Sequence, residues 1–173
     1  MKHINVEIKA KCFHPEKVKA FLFQQQAEFK GTDYQKDTYF KVPAGRLKLR
    51  QGNIENNLIF YNRNNQAGPK ESHFQLVKFD DGKALEQLLT DALGVKVVVE
   101  KKRNIYYLHN VKIHLDELEG LGSFIEIEAG NMLAPAKTID DLTQQCKELM
   151  KAFDIKDKDL IDNSYSDMLI SLL

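Results

Sequence analysis

Along residues 3–11, HINVEIKAK, apolar and polar side chains alternate: Ile4, Val6, Ile8 and Ala10 share one face, while Asn5, Glu7, Lys9 and Lys11 share the other. Period-2 alternation marks a strand whose two faces meet different surroundings. The pattern recurs over 34–42, 45–51, 57–63, 72–79, 96–108, 111–117 and 123–129, which with a first strand over 3–12 gives eight candidate strands. Pro-Ala-Gly before Arg46, the Asn-rich stretch 51–57 and His109-Asn110 fall between consecutive strands and carry turn chemistry. Neighbouring strands are therefore expected to run antiparallel.

Helical spacing interrupts the alternation. Pro15 suits the first turn of a helix expected to run to about Phe29, with Val18, Phe21 and Leu22 on its apolar side and Gly31 beyond its end. A second helix is expected over 82–93 through Leu85, Leu88, Leu89 and Ala92, and a third over 138–153 through Ile139, Leu142, Cys146, Leu149 and Phe153. A last helix is placed at 157–171, with its acidic run 154–167 read as a solvated face, and residues 62–72 read as a mobile loop. At 173 residues the chain is expected to form one domain, 1–173.

The charged faces raise a question of direction. Arg46, Lys48 and Arg50 alternate with Leu47 and Leu49; Lys112, His114 and Asp116 with Val111, Ile113 and Leu115; Glu126 and Glu128 with Ile125 and Ile127; Lys101 and Arg103 share a face. A sheet that buries its apolar face and wets its charged one would produce this pattern. The helices argue for the inverse, because their apolar stripes need a surface to pack on and the sheet's apolar face is the only sizeable one. Eight antiparallel strands can close into a barrel. The expected fold is thus α+β: an eight-stranded antiparallel β-barrel, a tunnel with a charged lumen, covered outside by three to four helices.

Such a lumen gathers Lys9, Lys11, Arg46, Lys48, Arg50, Lys101 and Arg103 near Glu7, Asp116, Glu126 and Glu128. Guanidinium and ammonium groups suit phosphate oxygens, and clustered carboxylates suit a hard divalent cation, Mg²⁺ or Mn²⁺. Together they describe a polyphosphate–metal site. His114, two residues from Asp116 on the charged face, is a candidate general base, with a phosphate contact or a hydrogen-bonded wall residue as its other readings. Tyr61 and Tyr107 are expected to be packing groups.

Composition narrows the class. Net charge is zero, with the basic residues concentrated early and the acidic ones late, and aromatics are not interleaved with the cations as nucleic-acid stacking requires. No nucleic-acid partner is expected. No apolar run approaches the roughly 18 residues of a membrane span, and the charged N-terminus lacks the apolar core of a signal peptide. The expected compartment is cytoplasmic, with no membrane partner. Cys12 and Cys146 make neither a disulfide framework nor a thiolate metal motif and are read as buried residues.

NVEIKAK, GRLKLR, AGPKES, KKR at 101–103 and HLDELEGLGSFIEIE at 114–128 together resemble the CYTH, or triphosphate tunnel, superfamily, and SYSDML at 164–169 is similar to its C-terminal end. The family includes class IV adenylyl cyclases and thiamine triphosphatases. The resemblance implies an eight-stranded barrel open as a tunnel, two-metal phosphoryl chemistry and a triphosphate substrate. The family's opening Glu-x-Glu-x-Lys stands here as Asn5-x-Glu7-x-Lys9, so Glu7 and Lys9 carry over and the first carboxylate does not. Lys9 then acts at the reaction centre, Lys48 and Arg50 stand for the family's basic pair, Lys101 and Arg103 contact phosphate, and Glu126 and Glu128 face the metals. Asp116 is a further ligand or orients one, and Arg63 and Lys70 reach the substrate from the loop.

The expected function is a divalent-metal-dependent enzyme that binds a nucleoside or other organic triphosphate in the tunnel and cleaves a phosphoanhydride bond. Water as nucleophile makes it a triphosphatase; the ribose 3′-hydroxyl of ATP makes it a class IV adenylyl cyclase. A non-catalytic nucleotide- or polyphosphate-binding module is the alternative. A homodimer stays open.

Overall fold

The computed structural model describes residues 3–62, 65 and 67–173. The chain runs β1 (His3–Lys11), α1 (Pro15–Gln24), β2 (Glu28–Phe40), β3 (Arg46–Gln51), β4 (Asn56–Asn62), β5 (Lys70–Lys78), α2 (Gly82–Leu93), β6 (Val95–Leu108), β7 (Val111–Leu118), β8 (Gly122–Gly130), α3 (Ile139–Ala152), a 3₁₀ turn (Asp157–Asp159) and α4 (Tyr165–Ile170). The strands close a ring in the order β1-β5-β4-β3-β2-β6-β7-β8, and every pairing is antiparallel. A closed ring leaves no unpaired edge.

The apolar faces point outward. Val6, Ile8 and Ala10 of β1, Val111, Ile113 and Leu115 of β7, and Ile125, Ile127 and Ala129 of β8 form one buried cluster with Val18 and Leu22 of α1 and Leu142, Cys146 and Leu149 of α3. The main hydrophobic core therefore lies between the barrel wall and its helices. Alternate side chains of the same strands consequently enter the lumen. A second cluster, Tyr39, Tyr61, Val99, Leu118, Phe124 and Tyr165, fills one end of the barrel.

Two expectations are corrected. α1 stops at Gln24, because Gln26 takes a positive φ of 56° and the amide of Ala27 returns to the carbonyl of Leu22. That reversal lets 28–33 extend β2 instead of lengthening the helix. The C-terminal segment is not one helix. Ile161 donates its amide to Lys9 O at 2.9 Å, Leu160 bridges Ala10, and only Tyr165–Ile170 is helical, N-capped by the Ser164 hydroxyl. On α2, Leu85 and Leu89 are half-buried, but Leu88 is exposed. The wall beneath α2 presents Lys36 and Thr38, both of which Glu86 engages, at 2.7 and 3.3 Å, so this helix docks partly by polar contacts.

Residues 62–72 were expected to form a loop; β5 begins at Lys70, and Arg63 lies outside the described residues. Cys146 is buried and Cys12 half-buried. Among the described residues no helix is long and apolar enough to cross a membrane.

Ile127 has no exposed surface where β8 meets the helices. Ile127→Ala is expected to cost about 2–5 kcal/mol, whereas Leu88→Ser stays within about 0.5 kcal/mol of the parent. Urea unfolding of the two variants measures the difference.

Candidate active site

The β-ladder registers stack the inward side chains in layers. Asp37 on β2 lies opposite Arg50 on β3, Gln35 opposite Lys101 on β6, Arg103 opposite Asp116 on β7, and His114 opposite Glu126 on β8. Between them is a cavity of about 630 Å³ whose wall includes Glu7, Lys9, Lys48, Arg50, Lys101, Arg103, His114, Glu126 and Glu128. Nine residues singled out in the sequence thus converge on one space.

Buried charge is costly unless it is paired and hydrogen-bonded, and the lumen is built around that requirement. Asp37, almost wholly buried, accepts a bidentate fork from Arg50 at 2.8 and 2.8 Å and lies 3.2 Å from Lys48 Nζ and 3.4 Å from Lys101 Nζ. Burial opposes its charge, but Arg50, Lys101 and Lys48 outweigh it and hold the carboxyl well below the usual range. In a second knot, Arg103 donates Nε and Nη2 to the two Asp116 oxygens at 2.6 and 2.5 Å and Nη2 to Glu126 at 2.7 Å. Lys9 pairs with Glu126 at 3.1 Å, and its Nζ lies 3.6 Å from the centre of the Tyr165 ring. The Tyr165 hydroxyl donates to Asp116 at 2.8 Å; burial, together with the Asp116 charge, pushes the phenol well above its ordinary value.

The α4 segment forms the floor of the cavity. Besides Tyr165, Asp167 pairs with Arg46 at 3.0 Å, and Lys70 donates to the carbonyl of Asp162 at 3.4 Å. Within the acidic run Asp154, Asp157 and Asp162 keep their side chains exposed, as expected of a solvated face, while Asp167 ties the C-terminal segment to one barrel end.

Near the middle of the wall, His114 is almost wholly buried, and neither ring nitrogen has a hydrogen-bond partner among the described residues. Its Nδ1 stops 3.6 Å from both Glu126 and Glu128. The three donor atoms lie within 4.8 Å of one another. Two carboxylates and an orphaned imidazole nitrogen are a donor set that fits a divalent cation, with the nitrogen suiting Mn²⁺ better than Mg²⁺. Glu7 is the neighbour of Glu128 across the β1–β8 ladder.

Other expected residues lie elsewhere. Lys11 is exposed at the end of β1, outside the cavity wall. Arg46 is taken up by Asp167. Asp116 accepts from Arg103 and Tyr165 and lies outside the His114–Glu126–Glu128 cluster, whose Glu126 is itself paired with Arg103 and Lys9. Tyr61 does more than pack: with Tyr39 it places its ring 5.6 Å from Lys48 Nζ.

Three site residues escaped the sequence reading. Asp37 shares a face with Gln35 and Tyr39, and alternation within β2 was the signal that could have found it. Glu55 comes from the turn between β3 and β4, where no periodicity operates. Tyr165 lies in the SYSDML stretch, whose contact with the lumen depends on how the C-terminal segment folds back.

Lys101 supplies a pH test. Burial first, then the nearby Arg103 and Arg50 charges, push its ammonium down from 10.5 to about 7 despite Asp37. Between these values the unfolded chain holds a proton that the folded one lacks, so stability rises with pH across that window. Burying the Lys101 charge costs most below pH 7, and the cost fades by about pH 10.5. Relative to Lys101→Met, the parent is expected to gain stability from pH 7 to 10 at up to about 1.4 kcal/mol per pH unit. Urea midpoints of the pair across that range give the slope.

Comparison with known proteins agrees with this architecture. A Methanocaldococcus jannaschii protein that carries the provisional name adenylate cyclase is 28% identical over 182 aligned positions, covering 95% of this chain and 98% of that one. The structure of a Vibrio parahaemolyticus protein, also provisionally named adenylate cyclase, superposes with a TM-score of 0.79 at 17% identity, covering 96% and 98% of the two chains. A Hippeastrum protein, described as a provisional adenylyl cyclase with a dominant triphosphatase activity, superposes with a TM-score of 0.58 at 14% identity over 97% and 94%. The family model described as the CYTH domain matches residues 3–165, and the chain therefore belongs to the CYTH domain family.

Proposed function

We propose that the chain is a divalent-metal-dependent enzyme that takes an organic triphosphate into the barrel and cleaves one of its phosphoanhydride bonds. The observation that carries this reading is the His114–Glu126–Glu128 cluster, with its orphaned imidazole, facing the same cavity as Lys9, Lys48, Arg50, Lys101 and Arg103. The names of the Methanocaldococcus, Vibrio and Hippeastrum proteins support triphosphate chemistry on this fold.

The residues divide the work. Lys48 and Lys101 each share Asp37 with Arg50 at 3.2–3.4 Å, so their ammonium groups can turn toward phosphate oxygens without leaving a buried carboxylate unpaired. Arg103 is fixed by the Asp116 fork and Lys9 by Glu126 and the Tyr165 ring, which holds both in place before substrate arrives. The floor at Tyr165 closes one end, so phosphates enter from the opposite mouth and the organic group trails there. That mouth carries exposed Ile54, Leu76, Met132 and Leu133, an apolar collar suited to the organic part of the substrate. His114, Glu126 and Glu128 would hold the metal, which neutralises charge developing on the phosphoryl oxygens when bound.

Incubation with ATP, GTP, thiamine triphosphate or tripolyphosphate, with Mg²⁺ or Mn²⁺, followed by product separation, tests the reading. Metal-dependent release of phosphate or pyrophosphate is expected, and cyclic AMP among the products identifies the ribose hydroxyl as nucleophile. Glu128→Gln should lower the metal-dependent rate by about 10²-fold or more. Triphosphate binding with no metal-dependent turnover of any substrate would leave a binding module instead.

A further inference from the structure

Glu55 is a lumen carboxylate that the proposed chemistry does not use. It stands on the turn between β3 and β4, at the open mouth, and its backbone is fixed from below. The wholly buried Asp33 accepts the amides of Ile54 at 2.8 Å and Glu55 at 3.0 Å and is braced by Gln35 at 2.7 Å. Gly52 passes so close that a Cβ there would fall 2.4 Å from an Asp33 oxygen. These contacts tie the turn to Asp33 and hold Glu55 over the lumen.

Its carboxylate meets three donors on three strands. Oε2 accepts from Arg50 Nη1 at 2.9 Å and Gln35 Nε2 at 3.1 Å, and Oε1 from Lys112 Nζ at 3.2 Å. β2 and β7 are not neighbours, since β6 lies between them, so this one side chain bridges across the interior. A guanidinium, an ammonium and an amide converging on two oxygens is the donor set that a phosphoryl group takes. Burial opposes its charge, but Arg50 and Lys112 keep the group ionised.

We propose that Glu55 is a built-in anion that fills a phosphate-type subsite at the mouth and so limits the length of phosphate chain the barrel accepts. The inference rests on the triphosphate reading above. Three phosphoryl groups find Lys9, Lys48, Lys101 and Arg103 deeper in the cavity. A fourth would have to reach the Arg50–Lys112 subsite and meets a carboxylate already there. Like charges forced together at a buried site discriminate by far more than a lost contact does.

Calorimetric titration of the metal-free protein with inorganic tripolyphosphate and tetrapolyphosphate tests this, with Glu55→Gln and the smaller Glu55→Ala as two independent removals of the charge. The parent should favour tripolyphosphate; each variant should bind tetrapolyphosphate about tenfold or more tighter, with tripolyphosphate changed by less than about threefold. Thermal unfolding identifies a variant that has lost its fold, and the other then decides. Weaker binding of both ligands would show that Glu55 merely orients Arg50 and would overturn the proposal. An equal gain for both, or no change, also overturns it, because the effect would then not depend on chain length. A parent that binds neither ligand, in the absence or in the presence of Mg²⁺ or Mn²⁺, rejects the triphosphate reading and this inference together, whereas a parent that binds tripolyphosphate with unselective variants rejects only the latter.

Discussion

The whole architecture follows from one constraint: a barrel whose charged faces point inward must satisfy each buried charge inside itself. An isolated ammonium or carboxylate away from water costs several kcal/mol, so the lumen could not hold this many charges unless they were arranged as knots. Asp37 joins Arg50, Lys48 and Lys101; Asp116 and Glu126 join Arg103 and Lys9; Glu55 joins Arg50 and Lys112. Arg50 belongs to two knots, so the charges form a network along the wall rather than a set of separate pairs.

The same constraint explains the outside. Turning the charges inward exposes Val6, Ile8, Ile113, Ile125 and Ile127 on the outer face, and α1 and α3 cover them. Coverage is uneven: α1 and α3 bury their apolar stripes against β1, β7 and β8, whereas α2 docks partly through Glu86 and leaves Leu88 exposed. Barrel, helices and lumen are therefore one solution to the alternation of the strands, and a slip of one residue in any ladder would exchange its charged and apolar faces.

Burial weighs most visibly on two groups of this network. His114 is buried with both nitrogens unpartnered beside two carboxylates, and Lys101 is crowded enough to lose its proton near neutral pH. Strain of this kind concentrates at functional sites.

The alternation of residues 3–11 and its repeats was sufficient to indicate strands, antiparallel order and two chemically opposed faces, because side-chain direction in a strand depends only on residue parity. Apolar stripes on the helices then indicated which face turned inward. This made Glu7, Lys9, Lys48, Arg50, Lys101, Arg103, His114, Glu126 and Glu128 legible as one set. Parity says nothing about what a side chain meets across the lumen. That Asp116 is consumed by Arg103 and Tyr165, that Arg46 turns to Asp167, and that Lys11 falls beyond the rim depended on strand register and on where the C-terminal segment returns. Glu55 and Tyr165 reach the lumen from a turn and a terminal segment, where no local period operates, so only the closed tertiary structure could place them there.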